Sequence, residues 1–180
     1  MSATEPVPLE ETPDLHGAFP RLSEEQIGRL ARHGERRATQ QGEVLFREGD
    51  ERYDFFVVLE GKVAVVAGYG GGERLIAVHG PGRFLGELSL LTGEGSYYTA
   101  VAVNEGEVLA VPASRLRELV ARDQGIGDLI LRAYLIRRSI LIGLGAGLRI
   151  IRTGGSIWTA IPGPRRCSRS SAWRRRTPRS

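Results

Sequence analysis

Residues 82–103 read GRFLGELSLLTGEGSYYTAVAV. The last part, YYTAVAV, is rich in aromatic and β-branched residues and reads as a strand. GRFLGELSLL instead sets Gly86-Glu87-Leu88 inside an apolar run and breaks the strand pattern. One helical turn inserted between two strands accounts for the break. Gly86 stands at the turn, where a glycine allows close backbone approach.

On both sides the chain keeps short β-rich runs: EVLF at 43–46, YDFFVVLE at 53–60, KVAVV at 62–66, RLIAVH at 74–79 and EVLAV at 107–111. Gln41-Gly42, Glu48-Gly49-Asp50, Glu60-Gly61, Pro81-Gly82 and Glu105-Gly106 punctuate them. That rhythm predicts a mainly β fold, a sandwich or barrel. The tip at 68–72, with four glycines in five residues, reads as a hairpin loop and no phosphate cradle.

Residues 1–18 are rich in Pro and Glu without periodicity and predict a flexible leader, with order beginning near Phe19. LSEEQIGRLARHG at 22–34 predicts a helix. Ser23 and Gln26 have capping-box spacing, Glu24 and Glu25 fall in the first turn, Gly34 can end it, and Leu22, Ile27 and Leu30 face inward. Beyond Pro112, Ser114 is placed to cap a short helix to Arg122, and a longer helix is expected over 127–138. Ile126, Leu129, Ile130, Ala133 and Ile140 share one face of it, whereas Leu131 and Leu135 lie elsewhere. Such a helix needs two partners, the barrel and a second subunit or other protein.

At 180 residues and 41% hydrophobic content the chain can bury one main core. The net charge of +4 hides an asymmetry. From Arg152 onward there are eight arginines and no acid, so residues 1–151 hold 17 basic against 21 acidic groups, or −4. An acidic domain argues against nucleic acid as its partner. The single Cys167 excludes an intramolecular disulfide. The N-terminus lacks the basic head and apolar centre of a secretory signal, and the longest apolar run, 140–148, falls short of the roughly 20 residues a membrane span needs. The expectation is a cytoplasmic protein without membrane contact. His16, His33 and His79 are scattered, and no Ser-His-Asp or paired-carboxylate arrangement is readable, so neither a metal site nor catalysis is expected.

FREGD at 46–50, FFVVLEGKVAV at 55–65, GRFLGELSLL at 82–91 and TAVAV at 99–103, framed by helices, form a constellation. Over residues 19–138 it resembles the cyclic-nucleotide-binding domain of the catabolite gene activator and of the cAMP-dependent kinase regulatory subunits. The resemblance implies a double-stranded β-helix, or jelly-roll, barrel with an N-terminal helix and C-terminal helices. It implies cAMP or cGMP as the ligand, with no other cofactor in the chain. The implied ligand site comprises Phe84, Leu85, Gly86, Glu87, Leu88, Ser96, Thr99 and Ala100.

A cyclic phosphate diester carries one negative charge and a ribose 2′-hydroxyl. Amides at the start of a helical turn suit the phosphate, and by resemblance Glu87 accepts the hydroxyl hydrogen bond. The alternatives are an exposed first-turn acid at Glu87, a plain turn glycine at Gly86, ordinary barrel positions at Thr99 and Ala100, and packing roles for Tyr97 and Tyr98. The family places an arginine about ten residues beyond the glycine to hold the phosphate. Here Gly95 or Ser96 stands in that place, and no Arg or Lys occurs between Phe84 and Ser114. Losing one charge-assisted contact weakens binding by roughly one to two orders of magnitude.

LILRAYLIRRSILIGLGAGLRII at 129–151 resembles the junction in bacterial proteins that fuse such a domain to a flavin-dependent, thioredoxin-reductase-like enzyme. It implies that residues 139–151 open a following, truncated domain with a buried strand, and that the chain is a regulatory front end. GLGAG lacks the spacing of a dinucleotide fingerprint. Residues 152–180 predict a disordered basic tail with the composition of an out-of-frame reading of a GC-rich gene. Three functions follow: a cyclic-nucleotide sensor that regulates a disulfide reductase, a degenerate barrel that serves as an interaction domain, and a basic-tail nucleic-acid binder.

Overall fold

A computed structural model describes residues 9–143 except 70, 71, 91 and 92. The GLGAG stretch beyond Gly143, the basic tail and the inferred truncation lie outside the described residues. Among the described residues the chain runs α1 (Glu24–Ala31), β1 (Glu35–Thr39), β2 (Val44–Phe46), β3 (Phe55–Glu60), β4 (Val63–Ala67), β5 (Arg74–His79), β6 (Phe84–Leu85), α2 (Glu87–Leu90), β7 (Thr99–Ala102), β8 (Gly106–Val111), α3 (Ala113–Arg122) and α4 (Gln124–Gly143).

The strands pair as nested partners, β1 with β8, β2 with β7, β3 with β6 and β4 with β5, all antiparallel. Pairs β3 with β8 and β4 with β7 join them into two four-stranded sheets, ordered β1-β8-β3-β6 and β2-β7-β4-β5. This nesting is the expected jelly roll. Phe55-Phe56-Val57-Val58 in β3 shows no hydrophobic alternation because both faces are covered. Phe56 and Val58 point into the barrel with Phe46, Leu85 and Tyr98. Phe55 and Val57 point outward against Leu30, Leu116 and Ile126 of the helices. Burying each such side chain contributes about 1.5–3 kcal/mol. One β-strand therefore walls two core layers.

Where turns meet, side chains are excluded. A Cβ on Gly106 would lie 2.2 Å from the Glu60 carbonyl oxygen, and one on Gly61, at φ +79°, would lie 2.8 Å from that of Glu105.

Helix α1 begins on the capping box read from its sequence. Ser23 Oγ accepts from the Gln26 amide at 3.2 Å and Gln26 Oε1 accepts from the Ser23 amide at 2.9 Å. Leu22 and Leu30 are buried and Ile27 is half-buried. Strand β1 was not among the runs expected to be strands. Four of its five residues are exposed, so it carries no hydrophobic signal, and backbone pairing to β8 sets its place. Ser114 does not cap α3, which starts at Ala113 after Pro112 with no side-chain cap. Helix α4 starts at Gln124, before the expected Gly127, because Asp123 Oδ1 accepts from the Ile126 amide at 3.1 Å. It continues to Gly143, so residues 139–143 are helical and do not open a strand.

The expectation of a flexible leader is corrected for residues 9–18, which lie along β5, the outermost strand of its sheet. The Thr12 amide donates to Val78 O at 3.0 Å, and the Val78 amide donates to Thr12 Oγ1 at 2.8 Å. Lys62 Nζ donates to Leu9 O at 2.9 Å, and the Glu11 carboxylate lies 2.7 Å from both Arg21 Nη2 and Arg83 Nε. An uncovered sheet edge invites pairing with another chain. This strap covers it, held by nearby Arg21 and by Lys62 and Arg83 from further along the chain. No helix among the described residues is long and apolar enough to cross a membrane.

Candidate ligand site

Phe84 and Leu85 form β6, Gly86 turns the chain, Glu87 and Leu88 open α2, and Ser96 leads into β7 with Thr99 and Ala100. All eight residues are buried. They serve different layers. Phe84 packs among the helices, its ring centroid 5.5 Å from that of Phe55, whereas Leu85, Leu88 and Ala100 fill the barrel interior. Thr99 Oγ1 accepts from the Glu48 amide at 3.0 Å and ties β7 to the turn at 47–50. Ser96 Oγ donates to Tyr98 O at 2.8 Å. Gly86 has φ +100°, and a Cβ there would lie 3.0 Å from Asp54 O, so its close neighbour is the protein's own backbone.

Glu87 is 0% exposed, which removes the alternative of a solvated first-turn acid. Its counter-ion comes from the long C-terminal helix, where Arg137 Nη1 donates to Glu87 Oε1 at 2.7 Å. The same guanidinium donates from Nη1 to Phe84 O at 3.1 Å and from Nε to Ala18 O at 2.6 Å. It also lies over the rings of Phe84 and Phe19, at 4.8 and 5.2 Å from their centroids. A buried ion pair is tolerated when hydrogen bonds and cation–π contacts replace lost water. The replacement here is incomplete, because Glu87 Oε2 and Arg137 Nη2 are buried without a hydrogen-bond partner.

Two further groups crowd the same place. The buried His79 ring sits edge-on to Phe19 at 5.5 Å with Nδ1 unpartnered. Burial holds its imidazole well below the ordinary histidine range, and the charges of Arg137 and Arg83 push the same way. Arg83 lies over Phe19 at 5.8 Å, and its Nε is within ion-pair distance of Glu11 but not aligned to donate. The unpartnered buried side-chain atoms found among the described residues therefore all belong to residues gathered about Phe19 and Glu87.

Tyr98, read from sequence as a packing residue, does pack, in contact with Phe46 at 5.6 Å between centroids. Its hydroxyl also accepts from the Gly86 amide at 3.4 Å. Burial, followed by the charge of Glu87, raises the phenol well above its ordinary pKa, so Tyr98 remains neutral. Tyr97 points outward and donates to Glu94.

A separate open cleft of about 650 Å³ runs between the 50–54 turn, Gly93 and the start of α3. Asp50, Glu51, Asp54 and Glu94 outnumber Arg37, Arg52 and Arg117 along it, so it does not favour a phosphate. Among the described residues no three His, Cys, Asp or Glu side chains are grouped to hold a metal ion.

Arg137 was not singled out from the sequence, although a signal existed. Ile126, Ile130 and Ala133 are fully buried, and Arg137 continues their stripe at helical spacing. An arginine on a buried stripe implies a buried acceptor, and Glu87 is that acceptor.

The family model for the cyclic nucleotide-binding domain matches residues 36–123. The cyclic AMP receptor protein of Thermus thermophilus is 35% identical over 104 residues, covering 57% of this chain and 46% of that protein. A lysophospholipase of Neurospora crassa is 26% identical over 151 residues, covering 67% of this chain and 10% of its own length. Among solved structures, the Thermus thermophilus catabolite activator protein superposes with TM-score 0.58 at 32% identity, covering 72% of this chain and 61% of that one. The chain thus spans less than half of the curated Thermus relative and a tenth of the fungal one. Residues 36–123, from the strands of the barrel to the end of α3, are thus similar to the cyclic nucleotide-binding domain.

Proposed function

We propose that this is a regulatory domain that senses a cyclic nucleotide, cAMP or cGMP, in the cytoplasm and reports its presence through α4. One observation carries the reading. The carboxylate that the resemblance assigns to the ribose hydroxyl, Glu87, is held by Arg137 of that helix. A hydroxyl on Glu87 and a phosphate near Gly86 would act on Arg137 and Tyr98 together, and so on the position of α4. The cyclic AMP receptor name of the Thermus relative supports the ligand class.

The output surface is the opposite face of α4. Leu131 and Leu135, one turn apart, are 42% and 63% exposed, whereas Ile126, Ile130 and Ala133 are buried. That outer stripe suits a protein partner or second subunit. A flavin-dependent disulfide reductase is the partner supported by the resemblance of residues 129–151.

Calorimetric titration with cAMP and cGMP tests the sensor reading. Saturable heats are expected, with a melting temperature that climbs with nucleotide concentration. Silent titrations at millimolar nucleotide would favour the second reading, an interaction barrel filled by its own side chains. The Tyr98 hydroxyl on the Gly86 amide is the observation on that side.

A further inference from the structure

The loop and strand that follow α2 offer no cation, because no Arg or Lys lies between Phe84 and Ser114. The guanidinium nearest the site comes instead from α4. Arg137 is 6% exposed and Glu87 0% exposed, and the pair is joined through Nη1 and Oε1 alone. Each partner keeps one unpartnered polar atom, the donor Nη2 and the acceptor Oε2. Leaving such groups unpaired in a low-dielectric interior is costly, roughly 1–3 kcal/mol for each and more when charged. A group that satisfies both must present an anionic oxygen to the guanidinium and a hydroxyl hydrogen to the carboxylate, a short distance apart. A cyclic phosphate fused to a ribose with a free 2′-hydroxyl has that composition.

Resting on the sensor reading above, we propose that Arg137 supplies from α4 the phosphate-binding cation, in place of an arginine on the strand side of the site. Arg137 is then a ligand-binding residue as well as a structural one. The ligand would bind the ion pair as a unit, leaving Nη1 on Glu87. Because the cation sits on α4, phosphate binding and helix position become one event.

The test is calorimetry of cAMP and cGMP on the full chain and its variants, with melting curves recorded beside each titration. Arg137→Gln is expected to weaken binding at least about tenfold, the size of a lost charge-assisted contact. Arg137→Lys keeps a positive charge against Glu87, so it should be more stable than Arg137→Gln and bind with intermediate affinity. Ser96→Arg should raise affinity more in the Arg137→Gln background than in the wild-type one, a non-additivity that a purely structural Arg137 would not give. Wild-type binding that Arg137→Gln or Arg137→Lys leaves unchanged, or tightens, overturns the proposal while the sensor reading stands. A wild-type chain silent to both nucleotides removes the sensor reading and the proposal with it.

Discussion

The Tyr98 hydroxyl accepts from the Gly86 amide at 3.4 Å across the barrel interior, so the amide of the residue before Glu87 is taken up by the protein itself. The ring also fills space beside Phe46 and Leu88. Tyr98→Ala should trade stability for access. Removing a buried aromatic ring costs about 3 kcal/mol, read as a lower urea midpoint. Calorimetric affinity for cAMP or cGMP should rise over wild type, because the amide and the space are freed. An unchanged affinity would mean that the ring does not compete with ligand.

The Glu87–Arg137 pair is 0% and 7% exposed at its side chains. Truncating one partner leaves the other charge buried, which costs roughly 3–5 kcal/mol, whereas replacing both with apolar residues of similar volume is often neutral. Denaturation of Glu87→Leu, Arg137→Met and the double variant should therefore give a double variant more stable than either single one. Additive losses would show that Ala18 and Phe84, rather than Glu87, anchor the guanidinium.

Local contacts were legible in the sequence and distant ones were not. Ser23 and Gln26 bond each other across one helical turn, so their spacing alone announces α1. Glycine turns and apolar runs gave the barrel, because strand pairing there follows burial on both faces of β3. Strand β1 gave no signal because four of its five residues face solvent. The leader reads as disordered from its Pro and Glu content, but its order comes from Lys62, Arg83 and Val78, more than fifty residues on. The candidate site was half legible. The turn at Gly86 and Glu87 stood out as a motif, whereas Arg137 lies fifty residues beyond Glu87 and only its place on a buried helical stripe marks it.

His79 gives the fold a pH dependence. Its imidazole is buried against Phe19, Arg83 and Arg137 and resists protonation. In the unfolded chain it takes up a proton as pH falls through about 6.5. The unfolded state then binds more protons, so stability is complete above that value and declines below it, by up to about 1.4 kcal/mol per pH unit. Urea midpoints should fall between pH 7.5 and pH 5.5 in wild type and change less in His79→Gln. An equal fall in both would assign the effect to carboxylates.

Thr12 links the leader to the site through β5. The Val78 amide donates to Thr12 Oγ1 and not to a neighbouring strand, and Val78 is 1% exposed. Thr12→Val keeps the shape and removes the acceptor, so a buried amide loses its partner at a cost of roughly 1–3 kcal/mol. Hydrogen exchange at residues 74–79 should accelerate, since an edge amide without its acceptor opens with the strap. The effect should reach α4. Residues 9–18 end at Ala18, whose carbonyl receives Arg137 Nε at 2.6 Å, and Phe19 stacks on the same guanidinium. A loosened strap gives Arg137 a freer position, and exchange around residue 137 should rise with that at Val78. Protection around residue 137 that stays at wild-type level while residues 74–79 open would show that Glu87 and Phe84 alone fix the helix.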